Sequence, residues 1–319
     1  MTLQPLAEPV FIVGAHRSGS TLLRVMLDHH PQIALSHEFE FTMHLVGENG
    51  EPPPLDTFYN HLSLNASFSR SGFHIDRSLT FAELINSFLE QRQNDKAVVG
   101  MTCHENFDRL RFFWPNAKYI HILRDPRDVA HSVVNMGWAG NVWVAANRWV
   151  EAEHTWDVLC QKVHEDRRME VRFENLIANP ELELSRVCHF LGLGYDEKML
   201  SYPANSDYAL PSPTAASRWR TKMSKKDIQL VEARIGDLCN ERHYPVSDLP
   251  QLCISSIQEI RLKVYSRLLK SWRRLQENPS LVLRLSIAKR LGHTDQAKKI
   301  TQQMHGIQNH QVKQTRYGN

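Results

Sequence analysis

The sequence has few cysteines, no long apolar run and no strong excess of one charge. Its five cysteines are scattered over 319 residues without a close pair, which argues against a disulfide framework and an all-cysteine zinc site. No segment reaches the roughly 18 apolar residues of a transmembrane helix. Residues 1–8 also lack the cationic and apolar regions of a signal peptide. We therefore expect a cytoplasmic protein with reduced thiols.

The charge is nearly balanced overall but unevenly distributed. The net charge of +3, from 38 Lys and Arg against 35 Asp and Glu, is too small to indicate nucleic-acid binding by itself, and we expect no such partner. Residues 251–319 hold 13 Lys and Arg against 3 Asp and Glu, which leaves a net charge of −7 for residues 1–250. This contrast predicts two regions: an acidic domain over 1–250 and a basic extension over 251–319.

Short β-type runs alternate with helical patterns through the first 175 residues. The runs are apolar or β-branched and cover residues 10–13, 33–35, 97–99, 119–123 and 170–173. Helical patterns lie at residues 21–29, 81–91, 125–136 and 142–164. The alternation predicts an α/β fold with a mainly parallel sheet flanked by helices. From residue 251 the pattern is helical to about residue 306, with a break near Pro279, which predicts a helical C-terminal extension.

The loop after the first predicted strand carries the strongest motif. Gly14, four further residues, Gly19 and Thr21 match the spacing of the nucleoside-triphosphate loop GxxxxGK[ST], but Ser20 replaces its lysine. The cation lies inside the loop instead, at Arg17. In such a turn the backbone amides and the following helix N-terminus form a cradle for anions. The loop therefore predicts a site for a 5′-phosphate-like group rather than for a triphosphate with magnesium.

A second strand-to-helix junction predicts a second phosphate site. Asp125 is a good N-cap and Pro126 suits the first helical position. Arg124 ends the strand, where ligands of open α/β sheets bind, and Ser132 lies about two helical turns beyond the cap on roughly the same face. The alternative is that Arg124 only pairs with a nearby carboxylate. For Arg127 an ion pair is the expected role.

Together, the two motifs resemble the sulfotransferase family, whose members use 3′-phosphoadenosine-5′-phosphosulfate (PAPS). Residues 17–31 are particularly similar to the protein-tyrosine sulfotransferase branch and its bacterial relatives, and the resemblance covers roughly residues 9–244. It implies a P-loop-like fold, no metal, and sulfuryl transfer to a hydroxyl or phenol of a small molecule, glycan, lipid or peptide tyrosine. It assigns the 3′-phosphate to Arg124 and Ser132. It assigns the 5′-phosphosulfate to His16, Arg17, Ser18, Gly19, Ser20 and Thr21.

The resemblance also implies a general base, at Glu38, for the acceptor proton. The alternative for Glu38 is a carboxylate favoured by a helix N-terminus. Glu40 stands where that branch carries arginine, which weakens the case for an acidic tyrosine peptide as acceptor. Relatives often have a leaving-group lysine near residues 97–110, where this chain has none. His104 is therefore a candidate acid or second base, or else a packed, hydrogen-bonded histidine.

Several aromatic positions bear on the site. Phe173 falls where many relatives have tyrosine, so a hydroxyl contact to the cofactor is in doubt. Within residues 217–222, Arg218 or Trp219 could close over the nucleotide; an exposed basic turn is the alternative. Trp149 and Trp156 share a helical face and are expected in the core. Trp138 could wall the acceptor pocket.

Two other functions fit parts of the sequence. One is a P-loop nucleotide kinase with a degenerate motif, and the other is a non-catalytic nucleotide-binding protein. For the extension we expect packing on the acidic domain, with contact to anionic lipid or a partner as the alternative. The amphipathic stripe that would make this contact consists of Ile260, Val264, Leu268, Leu269 and Trp272.

Overall fold

The structure is a computed structural model that describes residues 8–204, 210, 212–277, 279–292 and 300. Its sheet has five strands in the order β2-β3-β1-β4-β5, and every pairing is parallel. The strands are β1 (Val10–Val13), β2 (Ile33–Glu38), β3 (Val98–Cys103), β4 (Lys118–Leu123) and β5 (Arg168–Arg172). This sheet confirms the predicted α/β class.

Helices flank the sheet and follow most of its strands. They are α1 (Ser20–Asp28), α2 (Leu55–Leu64), α3 (Ala66–Ser71), α4 (Phe81–Gln93), α5 (Pro126–Asn135), α6 (Val142–Cys160), α7 (Phe173–Ala178), α8 (Pro180–Leu191), α9 (Trp219–Lys222), α10 (Lys225–Ile235), α11 (Leu238–Glu241), α12 (Ser256–Glu277) and α13 (Pro279–Arg290). The predicted boundaries shift in places. β2 and β3 extend beyond their apolar runs, and β5 ends at Arg172 because Phe173 begins α7.

Apolar side chains fill both faces of the sheet. In β1, Phe11 and Val13 belong to one buried cluster, while Val10 and Ile12 belong to another. Successive side chains of a strand point to opposite faces, so this continuous apolar run reflects burial on both sides. Trp149 and Trp156 of α6 are also buried, as predicted from their spacing.

The central position of β1 determines where a ligand can bind. β1 pairs with β3 on one side and with β4 on the other, and the connections from β1 and β4 lead to different edges of the sheet. In open α/β sheets such a reversal of strand order opens a crevice beyond the carboxyl ends of the strands. The loops after β1, β3 and β4 all reach this crevice.

Helix α12 packs on the rest of the protein through its small residues. The Gly140 amide donates to Ser266 Oγ (2.9 Å), and Asn141 Nδ2 donates to the Leu262 carbonyl (2.8 Å). A Cβ on Gly140 would lie 2.3 Å from the Ser266 carbonyl oxygen, so only glycine permits this approach. The predicted apolar stripe is therefore not the packed face. Its members Ile260, Val264, Leu268 and Trp272 are 47% to 63% exposed, whereas Leu269 is half-buried.

The remainder of the predicted extension is described only in part. Residues 293–299 and 301–306 of the predicted helix lie outside the described residues. Within the described ranges, every helix is too short or too polar to cross a bilayer.

Candidate functional site

The loop between β1 and α1 has the tight geometry that an anion cradle requires. Gly14 and Gly19 adopt φ values of +130° and +99°, which favour glycine. A Cβ on Gly14 would lie 2.6 Å from the Ile122 carbonyl oxygen of β4, and one on Gly19 would lie 2.3 Å from the Phe173 ring. The amides that begin α1 have no side-chain cap, and its first turn has no acidic residue. This helix start can therefore donate to a bound anion.

The structure brings the two predicted phosphate motifs into contact. Arg17 Nε donates to Ser132 Oγ of α5 over 3.1 Å. Arg124 Nη1 donates to the Arg17 carbonyl over 3.2 Å, and its Nη2 donates to the Ala215 carbonyl over 3.0 Å. Burial lowers the pKa of Arg124 from its usual value, while the Asp128 carboxylate, 3.9 Å away, opposes this shift. Two guanidinium groups and a hydroxyl thus lie side by side at the carboxyl edge of the sheet.

The start of α5 holds this arrangement in place. Asp125 caps the helix by accepting from the Arg127 amide over 2.9 Å, and Pro126 occupies the first turn. The buried Arg127 side chain pairs with Asp125 (2.8 Å) and Glu232 (2.9 Å). The ion pair expected for Arg127 is confirmed, and its guanidinium links α5 to α10.

Phe173 supports the arginine of the second site through its ring. The Arg124 guanidinium lies over the Phe173 ring, 4.2 Å from its centroid, and the same ring packs against Gly19. A cation–π contact of this kind fixes the plane of the guanidinium. Phe173 therefore positions Arg124 without the hydroxyl that tyrosine would supply.

The predicted lid segment is docked at the same place. The Trp219 amide donates to Asp128 Oδ1 over 2.8 Å, and its buried indole lies between the guanidiniums of Arg127 (3.7 Å) and Arg220 (4.4 Å). Arg218 is exposed. Trp219 thus fixes the segment to the start of α5, and Arg218 Nε donates to the Thr214 carbonyl over 3.4 Å.

Glu38 lies at the carboxyl end of the edge strand β2. It is half-buried, pairs in register with Thr102 of β3, and accepts a hydrogen bond from Ser67 Oγ over 3.4 Å. A carboxylate at this edge is held by a single hydroxyl and keeps acceptor capacity for a proton. The position is compatible with the predicted role as base.

His104 is buried beneath the loop. Nδ1 lies 2.8 Å from the Gly14 carbonyl oxygen, and Nε2 lies 3.3 Å from Ser20 Oγ. Because a carbonyl can only accept, Nδ1 carries the hydrogen and Nε2 accepts from the Ser20 hydroxyl. Burial, reinforced by the charge of His16, lowers the pKa of His104 to about 3. The neutral ring, hydrogen-bonded at both nitrogens, fits a positioning role for the loop better than the predicted acid or base role.

A cluster of titratable groups beside the loop was not predicted from the sequence. His16 Nε2 lies 3.6 Å from Glu105 and 3.8 Å from Glu40, and His44 Nε2 lies 3.3 Å from Glu105. Hydrogen bonds from His16 and His44 lower the pKa of Glu105, whereas burial and the charge of Glu38 raise that of Glu40. The His16 side chain therefore belongs to this carboxylate cluster, and its contact with the cofactor stays a prediction.

One sequence signal could have found the cluster. Glu105 follows β3 and Glu40 follows β2, so both acids lie just beyond strand ends at the edge where ligands bind. The Trp138 ring meets His16 edge-on, with centroids 5.6 Å apart, and lies 5.9 Å from the Arg17 guanidinium carbon. Trp138, predicted from the sequence as a wall of the acceptor pocket, thus adjoins both the cluster and the cradle.

Unpaired polar atoms test whether an anionic nucleotide fits the site. Among the described residues, the buried atoms Ser18 Oγ and Arg124 Nε have no hydrogen-bond partner. Buried polar groups are normally paired, so such atoms indicate a missing ligand or water. Two arginines, hydroxyls and an uncapped helix start form a donor set suited to phosphate and sulfate groups. The residues present therefore fit the predicted cofactor.

Comparison with known proteins identifies the family. The model of the Sulfotransferase family matches residues 9–197, and the chain belongs to this family. Protein-tyrosine sulfotransferase A of Caenorhabditis elegans is 26% identical over 208 residues, which cover 60% of this chain and 52% of that protein. Protein-tyrosine sulfotransferase 2 of Gallus gallus is 22% identical over 213 residues, 60% of this chain and 53% of that protein. The chain spans about half the length of these curated relatives.

Solved structures agree on the fold. The sulfotransferase domain of the Synechococcus PCC 7002 olefin synthase superposes with a TM-score of 0.52 and 21% identity, covering 74% of this chain and 98% of that domain. The sulfotransferase domain from the curacin biosynthetic pathway gives a TM-score of 0.52 and 16% identity, covering 76% of this chain and 100% of that domain.

Proposed function

We propose that this protein is a sulfotransferase that moves a sulfuryl group from PAPS to a hydroxyl or phenol. The observation that carries the proposal is the contact between Arg17, Ser132 and Arg124 beside the uncapped start of α1. One cofactor with anionic groups at its 5′ and 3′ ends would engage both motifs. The named activity of the curated relatives supports the same conclusion.

The residues divide the binding work between the two ends of the cofactor. The loop amides, including that of Ser20, would hold the 5′-phosphosulfate together with Arg17 and the Thr21 hydroxyl. Arg124 with Ser132 would hold the 3′-phosphate. When bound, PAPS supplies a sulfuryl group whose bond to the 5′-phosphate oxygen breaks as the acceptor oxygen bonds to sulfur.

Side chains and backbone amides of this chain would accept the proton of the acceptor and stabilise the charge on the departing phosphate. Glu38 accepts the proton of the acceptor hydroxyl, and Ser67 holds its carboxylate at the edge of the sheet. Arg17 and the loop amides face the negative charge that develops on the departing phosphate oxygen, and no reorganisation of water is needed there. Because residues 97–110 contain no lysine, Arg17 carries this charge without that help.

The kinase alternative conflicts with one contact. In the nucleoside-triphosphate loop, a lysine in place of Ser20 would reach the β- and γ-phosphates. Here Ser20 Oγ is bound to His104 Nε2 beneath the loop, and the cation is at Arg17. The loop therefore lacks the lysine that a triphosphate needs, which favours the phosphosulfate cofactor.

A thermal-shift assay followed by a transfer assay tests the proposal. We expect 3′,5′-bisphosphoadenosine at about 100 times its Kd to add about 2.7 kcal/mol to the free energy of unfolding, and ATP with magnesium to have little effect. Labelled sulfuryl transfer is then measured with small phenols, glycans, lipids and tyrosine peptides. Stabilisation by ATP with magnesium alone would favour the kinase, and bisphosphate binding without transfer to any acceptor would favour a binding protein.

We also propose that the exposed stripe of α12 contacts an anionic membrane surface. Ile260, Val264, Leu268 and Trp272 are exposed, and α12 holds six Lys and Arg against two Glu. Apolar side chains beside an excess of cations are typical of helices that lie in the headgroup region. We expect the protein to float with phosphatidylserine vesicles, and Trp272→Ser to weaken this binding. Equal flotation with neutral phosphatidylcholine vesicles would contradict the role of charge.

A further inference from the structure

A cavity of about 400 Å³ lies at the open edge of the sheet, away from the cofactor loop. Its floor is the strand β2, from Ala34 to His37, and its walls come from the end of α1, from α3 and from α4. Five basic residues line it: Arg24, His37, Arg70, Arg92 and Lys96. Asp28 is the one acidic residue among the described lining residues.

Three of the four permanent cations of this cavity contact neutral oxygens. Arg70 donates to the Ser67 hydroxyl (3.4 Å), and Arg92 donates to the Ser71 carbonyl. Lys96 Nζ donates to the backbone carbonyl of Ile33 (2.6 Å). Such contacts orient the three groups but leave their charge uncompensated.

The acidic residue in the wall is committed elsewhere. Asp28 Oδ1 accepts the Leu35 amide over 2.9 Å and so joins the end of α1 to β2. With four permanent cations against one carboxylate, the lining carries a net positive charge. Positive charge in a concave site attracts and holds anions.

The lowered pKa of His37 agrees with a positive potential in the cavity. Burial lowers the pKa of His37, and the charges of Arg24, Arg92 and Arg70 lower it further, while Glu38 opposes them. The arginines of the lining thus add to burial in disfavouring a proton on this imidazole. An entering anion would compensate the same charges.

The cavity is connected to the proposed base. Ser36 and His37 immediately precede Glu38, and two residues of strand span about 7 Å. Arg70 also contacts Ser67 (3.4 Å), which in turn donates to Glu38 (3.4 Å). A group bound in the cavity would therefore lie within one residue or one sugar ring of a hydroxyl placed at Glu38.

We propose that this cavity binds an oxyanion group, a sulfate, phosphate or carboxylate, carried by the acceptor whose hydroxyl Glu38 deprotonates. The inference rests on the proposed function for the identity of that molecule, but the binding of an anion here does not. It makes the preferred acceptor an anionic one, even though Glu40 occupies a position where arginine would have favoured acidic partners.

Isothermal titration calorimetry with inorganic sulfate tests the site directly. Arg70 is the variant of choice because it is exposed and, within the described residues, its side chain hydrogen-bonds only to the Ser67 hydroxyl. We expect Arg70→Gln to weaken sulfate binding about tenfold. The matched control is Arg77→Gln, another exposed arginine, which lies over the Tyr59 ring outside the cavity. Equal affinity in the two variants would overturn the proposal.

This comparison keeps the two proposals separate. The titration is made with saturating 3′,5′-bisphosphoadenosine, so that the loop site is occupied. Should the bisphosphate not bind, the proposed function fails, yet the difference between Arg70→Gln and Arg77→Gln on the free protein still reports the cavity. Thermal unfolding of both variants checks that each is folded.

Steady-state kinetics distinguish an anionic group that belongs to the acceptor from a free anion. For an acceptor found in the transfer assay, we compare its anionic form with the neutral analogue that has the same hydroxyl. Arg70→Gln is expected to raise the KM of the anionic form about tenfold with little change for the neutral one, and free sulfate is expected to raise KM without changing kcat. Ser67→Ala, which removes the link to Glu38 but keeps the cation, should preserve the ratio of the two KM values. A change in kcat by sulfate at constant KM would show a free regulatory anion and overturn the acceptor assignment.

Discussion

The cofactor cradle and the cavity beside β2 are two cationic regions built in different ways. The cradle is made by consecutive residues of one loop, and its glycines at 14 and 19 let the backbone approach β4 and Phe173. The cavity is made by side chains from α1, α3, α4 and the connection to β3. Backbone amides and a helix start supply donors in the first region, whereas long side chains supply nearly all the charge in the second.

Because of this difference, the two regions are suited to different ligands. A loop of amides has a fixed shape and fits one anionic group closely. A cavity of long cationic side chains adapts to sulfate, phosphate or carboxylate. The proposed cofactor would therefore suit the cradle, and the proposed anionic acceptor would suit the cavity.

The largest effect is expected from Arg17→Ala. This change removes the guanidinium of the cradle, which contacts Ser132 of the second phosphate motif. We expect no thermal stabilisation by 3′,5′-bisphosphoadenosine and a loss of transfer of at least about 10³-fold. Arg186→Ala is the control, since this exposed arginine pairs with Glu183 on α8. If Arg17→Ala bound the bisphosphate as tightly as the wild type does, the proposed distinction between the two regions would be wrong.

Glu38→Gln is expected to separate binding from chemistry. The amide keeps the shape of the side chain but cannot accept the acceptor proton, so turnover should fall about 10²–10⁴-fold. Bisphosphate binding, measured by thermal shift, should stay as in the wild type. Unchanged turnover would remove Glu38 from the role of base.

Gly19→Ala tests how far the cradle depends on its backbone. The new Cβ would meet the Phe173 ring at 2.3 Å, in a backbone conformation that disfavours alanine. We expect a loss of about 1–3 kcal/mol in the free energy of unfolding and weaker bisphosphate binding. Gly192→Ala is the matched control, because Gly192 also has a positive φ but faces open space. Equal losses in the two variants would leave no role for the contact with Phe173.

The smallest effect concerns pH and the histidine beneath the loop. Burial, with the charges of His16 and Arg17, keeps the pKa of His104 at about 3, whereas the unfolded chain titrates near its usual value of about 6.5. The unfolded state therefore gains this proton first, and the stability contribution, fully present above about pH 6.5, is lost as pH falls toward 3. In urea titrations, His104→Gln should lose less stability between pH 6.5 and 4 than the wild type does. An identical slope would show that the imidazole is not held neutral.

The pKa of a second buried histidine, His121, is shifted in the opposite direction. Although burial disfavours its charged form, Glu153 and Glu170 raise the pKa of His121 to about 9. Its contribution is fully present below about pH 6.5 and is lost as pH rises through 9. His121→Gln should therefore alter the alkaline side of the stability profile and His104→Gln the acidic side.

Local patterns made most of the fold and the cradle predictable. The strand, glycine turn and helix around Arg17 are adjacent in sequence, and the cap and first turn at Asp125 and Pro126 follow local rules. The exposed stripe of α12 shows the limit of such patterns. Its amphipathic spacing was correct, but the close approach of Gly140 to Ser266 selected another face of the helix for packing.

The amino-acid sequence alone determined the order of strands and helices, the family resemblance and the two phosphate motifs, because each depends on residues close together in the chain. Only the tertiary structure decided that Arg17 meets Ser132, that Glu105 and Glu40 converge on His16, and that four distant cations line one cavity. The reason is geometric: these groups are brought together by the crossing of parallel strands, and their pKa values and partners follow from burial that no local pattern contains.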